Sequence, residues 1–299
     1  MELKKLSNNV YYIPSSSNIG VIKNNGGLAI LIDTGLDDEI AKKVLKLLAR
    51  ENMSVTSIIN THSHADHYGG NKEVKKGHHV EVYAPKVEDA IIKYPQLEPL
   101  YFFSGAQPLN KLKNKFLMAE SCYVDHIIEE GKLCINGCEL EIVSLAGHSI
   151  NQIGVSYEGV LFCSDSLFSE KVLEKHKIPF FVDIDAERHT LDSLRSTNYQ
   201  FYIPAHAEAT NDIKKLVNIN LKVIDDTERI ILTSIEDKLT TEQILKQVSK
   251  SNQIEIKDIP QYCLLKTSIM AYLSSLYERG MISISFSENQ LLWQTKNNF

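Results

Sequence analysis

A short β-rich run at residues 57–60 opens directly onto Thr61-His62-Ser63-His64-Ala65-Asp66-His67. No structural role requires three imidazoles and a carboxylate within six residues. These are borderline or hard ligands, suited to zinc, iron or manganese. Imidazoles two residues apart on an irregular loop can converge on one ion, and the adjacent Asp66 and His67 can turn toward a second. The chain must therefore fold so as to hold this loop at the C-terminal end of a strand.

The flanking pattern is that of a layered α/β domain. Residues 10–13, 20–23 and 28–32 read as strands. A helix follows over 38–51, with Ile40, Val44, Leu47 and Leu48 on one face, Lys42, Lys43 and Lys46 on the other, and Asp37 or Asp38 placed to cap its start. A short strand is expected at 80–84. Residues 86–128 read as a helical insertion broken by Pro95, Pro99 and Pro108, its Tyr101-Phe102-Phe103 run suited to core packing or to a lid. Strands resume at 131–134 and 139–144 around the Asn136-Gly137 turn, at 153–157 and 160–163 around Glu158-Gly159, and at 200–203, ending on Pro204-Ala205-His206. Beyond this point helical periodicity dominates, over 211–236, 241–248 and 264–279. Thr240 and Thr241 are suited as N-caps and Gly280 as a C-cap, and a hairpin is expected over 281–295. Three helices and a hairpin define a small, mostly helical, winged-helix-like domain over 211–299, after a first domain over 1–210.

With 299 residues, 43% of them hydrophobic and 23% charged, the chain is long enough for two globular domains. Its 32 Lys and Arg against 38 Asp and Glu give a net charge of −6, which disfavours non-specific nucleic-acid binding. Five cysteines, an odd and thinly spread number, argue for reduced thiols, and no apolar run reaches the length of a secretion signal or membrane span. A cytoplasmic protein acting away from membranes is expected.

The string Thr-His-Ser-His-Ala-Asp-His-Tyr-Gly-Gly from position 61 resembles the His-x-His-x-Asp-His signature of the metallo-β-lactamase superfamily, down to the flanking Gly69-Gly70. Four further motifs of that family find matches in order: Asp33 in Leu-Ile-Asp-Thr-Gly, His148 in Ala-Gly-His-Ser, Asp165 in Cys-Ser-Asp, and His206. The resemblance covers roughly residues 1–210 and implies an αββα sandwich. It also implies that His62, His64 and His148 hold one metal, that Asp66, His67 and His206 hold a second, and that Asp165 bridges them. Two Zn2+ ions are the expected cofactors, with Mn2+ or Fe2+ as alternatives. Two metals roughly 3.5–4 Å apart can bring the pKa of a bridging water toward neutrality and clamp a scissile carbonyl or phosphoryl oxygen. Asp66, the expected catalytic residue, would orient that nucleophile or take its proton, and Asp33 would fix the ligand loop from behind.

The remaining candidates read more blandly. His78 and His79 follow a Lys-Lys-Gly turn and are expected to be solvated, as is the lone His126. His176 and His189, with Lys171, Lys175, Lys177 and Arg188, lie between Asp165 and His206 and offer either a solvated charged face or a hold on a substrate anion. Cys163, two residues before Asp165 on the same strand, is expected on the same face as a small buried thiol.

Family resemblance leaves three reactions open. The favoured one is hydrolysis of a small ester, thioester or lactone, because the full ligand set resembles that of glyoxalase II relatives. A metal-dependent endoribonuclease is the alternative, since a winged-helix tail in this position resembles that of β-lactamase-like-protein-2-type enzymes. Residues 211–299, however, carry 11 Lys and Arg against 11 Asp and Glu, without the basic excess of a nucleic-acid reader. That tail is equally suited to packing over the active site or to forming a homodimer. The third reaction is that of a persulfide dioxygenase with one iron on His62, His148 and Asp165.

Overall fold

The computed structural model describes residues 1–77, 79–235 and 237–296. His78, and Glu236 at the end of the helix expected over 211–236, lie outside the described residues, as do 297–299. Seven strands form the first sheet in sequence order: β1 (Lys4–Lys5), β2 (Val10–Ile13), β3 (Ile19–Lys23), β4 (Leu28–Ile32), β5 (Ser54–Ile59), β6 (Glu81–Pro85) and β7 (His126–Ile128). Helix α1 (Asp38–Arg50) joins β4 to β5. Helices α2 (Ala65–Tyr68) and α3 (Asn71–Lys75) precede β6, and α4 (Glu88–Lys93) and α5 (Leu97–Phe102) follow it. The second sheet runs from β8 (Gly131–Ile135) through β9 (Cys138–Ser144), β10 (Ile153–Tyr157) and β11 (Val160–Phe168) to β12 (Phe201–His206). Between its last two strands lie α6 (Glu170–His176) and α7 (Ile184–Ser196). The chain ends with α8 (Ile213–Ser234), α9 (Thr241–Ser251), α10 (Ile259–Glu278) and the hairpin β13 (Ile282–Ser287) and β14 (Gln290–Thr295).

Strand alternation builds the layers. Ile22, Ile30, Ile32 and Ile59 of the first sheet meet Leu140, Ile142, Val155 and Phe162 of the second in the central core. Their neighbours Val21, Leu31 and Ile58 turn outward onto Ala41, Val44 and Leu48 of α1. On the far side, Leu161, Cys163 and Tyr202 pack beneath Leu191 of α7, Ile224 of α8 and Ile269 of α10. The result is the expected αββα sandwich with a C-terminal helical region. That region shares one continuous apolar core with the second sheet.

Several elements depart from the expectations. Residues 126–128 are an edge strand of the first sheet, not helix. The last long helix starts at Ile259, where Asp258 caps it and Pro260 occupies its first turn, the position proline tolerates best. Helices α6 and α7 fill a stretch for which no helix was expected. The Asn136-Gly137 turn is as expected, with φ of 53° and 78° closing the Ile135–Cys138 pair.

Strand direction places the site. β4, β5 and β6 are mutually parallel, and β9, β11 and β12 share one direction, because β10 is antiparallel to its neighbours while β11 and β12 are parallel. Asp33, the histidine loop, His148 and His206 lie at or just beyond the C-terminal ends of these strands, and Asp165 in the C-terminal half of β11, at one end of the sandwich. Among the described residues no helix is long and apolar enough to cross a membrane.

Candidate metal centre

The histidine loop leaves β5 and coils into the single turn of α2, which carries Asp66 and His67. Its return is pressed against the segment after β4: Thr34 N–H donates to His67 O at 2.7 Å and Gly70 N–H to Gly35 O at 3.2 Å. A Cβ at Gly69 would stand 2.0 Å from the Leu36 carbonyl oxygen, so the glycine of the motif is required by close backbone approach. Asp33, itself at φ 63°, accepts from Thr61 N–H and Thr61 Oγ1, both at 2.8 Å, and from His67 Nδ1 at 2.8 Å.

The structure brings all seven expected ligands together. His62 Nε2 and His148 Nε2 lie 3.0 and 2.8 Å from His64 Nδ1. Asp66 Oδ2 lies 3.8 Å from His67 Nε2 and 3.4 Å from His206 Nε2. The Asp165 carboxylate spans the two sets, with Oδ2 3.3 Å from His148 Nε2 and 3.2 Å from His206 Nε2, and Oδ1 3.3 Å from His67 Nε2. Four of these residues, His62, His67, His148 and Asp165, are buried.

These atoms fit divalent cations on two grounds. First, the outer ring nitrogens are already engaged. His148 Nδ1 must donate to Phe180 O at 2.8 Å and His206 Nδ1 to Ser16 O at 2.7 Å, because a carbonyl only accepts. His67 Nδ1 faces Asp33, and His62 Nδ1 lies 3.2 Å from the hydroxyls of Thr61 and Ser164. When either ring is neutral, as a metal ligand must be, its Nε2 lone pair turns inward, the arrangement that outer partners impose on metal-ligating histidines. Second, Asp165 Oδ1 is buried and, among the described residues, makes no hydrogen bond of good geometry, with His67 Nε2 3.3 Å away, so it keeps acceptor capacity for a cation.

Electrostatics divides the two sets. Burial drives His62 well below its ordinary range, His64 to about 4 and His148 to about 3, leaving neutral imidazoles. For His206 burial acts in the same direction, but Asp165 and Asp66 outweigh it and raise the ring to about 10; His67 is raised in the same way by Asp165, Asp66 and Asp33. Asp66 is held at about 2, burial being outweighed by His67 and His206. This second set is thus built around negative charge that attracts cations.

Other residues around the centre carry no motif. Phe180 edges onto His64 and His148 with ring centroids at 5.5 and 5.7 Å, and Phe168 stacks on His206 at 6.1 Å and 14°. Phe102 packs against Phe180 at 5.5 Å, within an apolar cluster that joins Leu112 and Leu117 to Cys263 of α10. The insertion aromatic Phe102 is thus core, whereas Tyr94 and Tyr101 are exposed. Glu98 is buried with Oε1 4.0 Å from His64 Nε2, and burial, reinforced by Glu88 and Asp66, pushes its carboxyl well above the usual range. Glu187 is buried beneath the His148 loop, and among the described residues neither of its oxygens has a hydrogen-bond partner.

One expectation is corrected. Cys163 does not face the centre: Ser164 adopts φ 51° at a register shift, so Cys163 stays in the helix-side core while Asp165 is turned into the site. Arg188 is held by Asp225 at 2.6 Å and Glu228 at 3.0 Å rather than offered to an anion, and Lys171, Lys175, His176, Lys177 and His189 are exposed.

An αββα sandwich carrying a His/Asp cluster at the C-terminal ends of its strands defines a class of metal-dependent proteins. The chain belongs to the metallo-beta-lactamase superfamily, whose family model matches residues 12–206. Among curated proteins it is similar to hydroxyacylglutathione hydrolase of Vibrio campbellii, 30% identical over 153 residues, 50% of this chain and 47% of that one. The chain thus spans about half the length of the curated relatives it matches. Among solved structures it is similar to a metallo-beta-lactamase family protein from Thermus thermophilus (TM-score 0.72, 17% identity, 96% of this chain and 99% of that one). A beta-lactamase domain protein from Burkholderia ambifaria is comparably similar (TM-score 0.75, 15% identity, 99% and 94%). At these identities the structural likeness concerns the fold, and it extends over the C-terminal helical region.

Proposed function

We propose that this chain is a hydrolase of small esters, thioesters or lactones that works with two divalent cations, zinc in the first instance. The observation that carries this reading is the Asp165 carboxylate, shared between His148 on one side and His67 and His206 on the other, with acceptor capacity remaining on its buried Oδ1. When bound, the cations supply Lewis acidity and make water a nucleophile near neutral pH.

The chain's own residues do the rest. His62, His64 and His148 are candidates to hold one cation and Asp66, His67 and His206 the other, with Asp165 between them. Asp66 is 29% exposed by its side chain, the most accessible of the carboxylates here, and is placed to orient the attacking water and take its proton as the carbon–oxygen bond forms. Phe168 and Phe180 wall the centre with apolar surface, which excludes bulk water and suits an acyl group better than a phosphate backbone. The similarity to hydroxyacylglutathione hydrolase points the same way, toward a thioester. We read the helices and hairpin beyond residue 210 as a winged-helix-like unit that closes the outer face of the second sheet, and the protein as cytoplasmic, consistent with five unpaired cysteines.

The test is a substrate panel on metal-loaded protein: S-lactoylglutathione, aryl esters and lactones beside single-stranded RNA. Turnover of an acyl substrate, lost in Asp165→Asn together with metal, is the expected result. Metal-dependent RNA cleavage without acyl turnover would replace this reading with the nuclease one.

A further inference from the structure

Glu88 opens α4 from within the protein interior, fully buried, about twenty residues beyond the histidine loop. Its carboxylate accepts four hydrogen bonds from two different loops. Oε2 takes Ser63 N–H at 3.0 Å and Ser63 Oγ at 2.5 Å; Oε1 takes Ser149 Oγ at 2.5 Å and Asn151 N–H at 3.1 Å. Ser63 lies between His62 and His64, and Ser149 directly follows His148. One side chain thus ties the two loops that carry the first three nitrogens. A second stitch joins the same partners, since Asn151 Nδ2 donates to Lys86 O at 2.8 Å.

The backbone before Glu88 is strained to make this possible. Val87 adopts φ 76° and ψ −48°, a conformation that a β-branched residue avoids. Such strain persists only where the surroundings over-determine it, and here they are the four bonds made one residue later. Four accepted bonds also fill the lone-pair sites of a carboxylate, leaving Glu88 no capacity for substrate or cation.

We propose that Glu88 is a positioning residue that locks the His62/His64 loop to the His148 loop and so pre-forms the three-nitrogen set before metal arrives. This rests on the metal-centre reading above. The two loops also meet at their bases, where Ile153 N–H donates to Thr61 O at 3.0 Å, but it is this carboxylate that joins them at the residues beside the ligands, where His148 approaches His64 to 2.8 Å. A glutamine in its place keeps the shape but turns one N–H donor against the backbone N–H of Ser63 or Asn151, so one loop is released.

The test compares wild type with Glu88→Gln by two readouts. In metal-free protein, amide hydrogen exchange at Ser63 and Asn151 should accelerate in the variant while β10 and β11 keep their protection. In Co2+ titrations followed by the visible ligand-field spectrum, affinity should fall roughly 10- to 100-fold, the range for residues that orient metal ligands, with an altered spectrum at saturation. Should Glu88→Gln not fold, Ser63→Ala and Ser149→Ala keep the question open to test: their effects on Co2+ affinity should be non-additive, because both act through one carboxylate. Unchanged exchange and affinity in Glu88→Gln, or additive serine effects, would overturn the proposal. If wild type bound no Co2+ the metal reading would fail, while the exchange experiment would still decide whether Glu88 joins the loops.

Discussion

Replacing Asp33 with asparagine probes how the second half of the centre is oriented. The Asp33 carboxylate is buried and accepts three hydrogen bonds at 2.8 Å, two from Thr61 and one from His67 Nδ1. Asparagine keeps one oxygen, enough for the Thr61 N–H, and presents an NH2 group to His67. The Nδ1 proton of His67 can no longer be accepted there. A hydrogen bond to a charged partner contributes about 1.5–3 kcal/mol. Either that amount is lost from folding, or His67 moves its proton to Nε2 and accepts from the amide instead. The second outcome removes the Nε2 lone pair that the neutral ring would offer a cation, so the energy appears as weakened metal binding. A loss of about 10- to 100-fold in affinity corresponds to about 1.4–2.8 kcal/mol, matching the bond removed. The assay is competition with a chromophoric chelator, alongside thermal melts of metal-free protein. Asp33→Asn should weaken the Asp66/His67/His206 equivalent and largely spare the His62/His64/His148 one. An unchanged melt together with unchanged affinity for both equivalents would refute the reasoning.

Further expectations follow from burial. Ile269→Ala in α10 should destabilise by about 2–5 kcal/mol in denaturant titrations and leave a single transition, because α10 shares its core with the second sheet; two resolved transitions would show separate cores. Native alkylation should modify Cys134 first, the exposed thiol, and spare Cys163, which is buried and whose pKa burial pushes upward; labelling of native Cys163, read by peptide mass spectrometry, would contradict this packing. Burial alone would raise the Asp125 pKa, but Lys75 and the Val82 N–H outweigh it and depress it. Its stabilisation is therefore present above the ordinary value of 3.8 and lost as pH falls through the folded value. Asp125→Asn should cost about 0.5–1 kcal/mol at pH 7 and nothing once pH is well below that value, as measured by urea unfolding of metal-free protein.

The clustered residues were legible because three imidazoles and a carboxylate crowd into one loop, and because the family resemblance matched His148, Asp165 and His206, each near the end of a β-rich run. A layered α/β domain was legible from strand–helix alternation and the αββα sandwich only through the family resemblance, while Asp37 caps α1 through Ile40 N–H as its position suggested. What escaped has physical reasons. Helix α7 shows only a sparse apolar stripe because Glu187 and Thr190 occupy buried positions where aliphatic residues would have completed it. Cys163 was placed by strand periodicity, which cannot register the left-handed turn at Ser164. Glu88 and Glu98 sit at or near helix starts, where glutamate is ordinary; their significance comes from burial beside loops distant in sequence. Phe168 and Phe180 belong to no motif, and only the fold brings them against imidazoles.

The central claim is that this cluster holds two cations. It is tested most directly by elemental analysis of protein purified anaerobically without added metal, compared with Asp165→Asn prepared identically. About two equivalents of zinc or manganese per chain, falling sharply in the variant, is the predicted result. One equivalent of iron, or a metal content indifferent to Asp165, would contradict it.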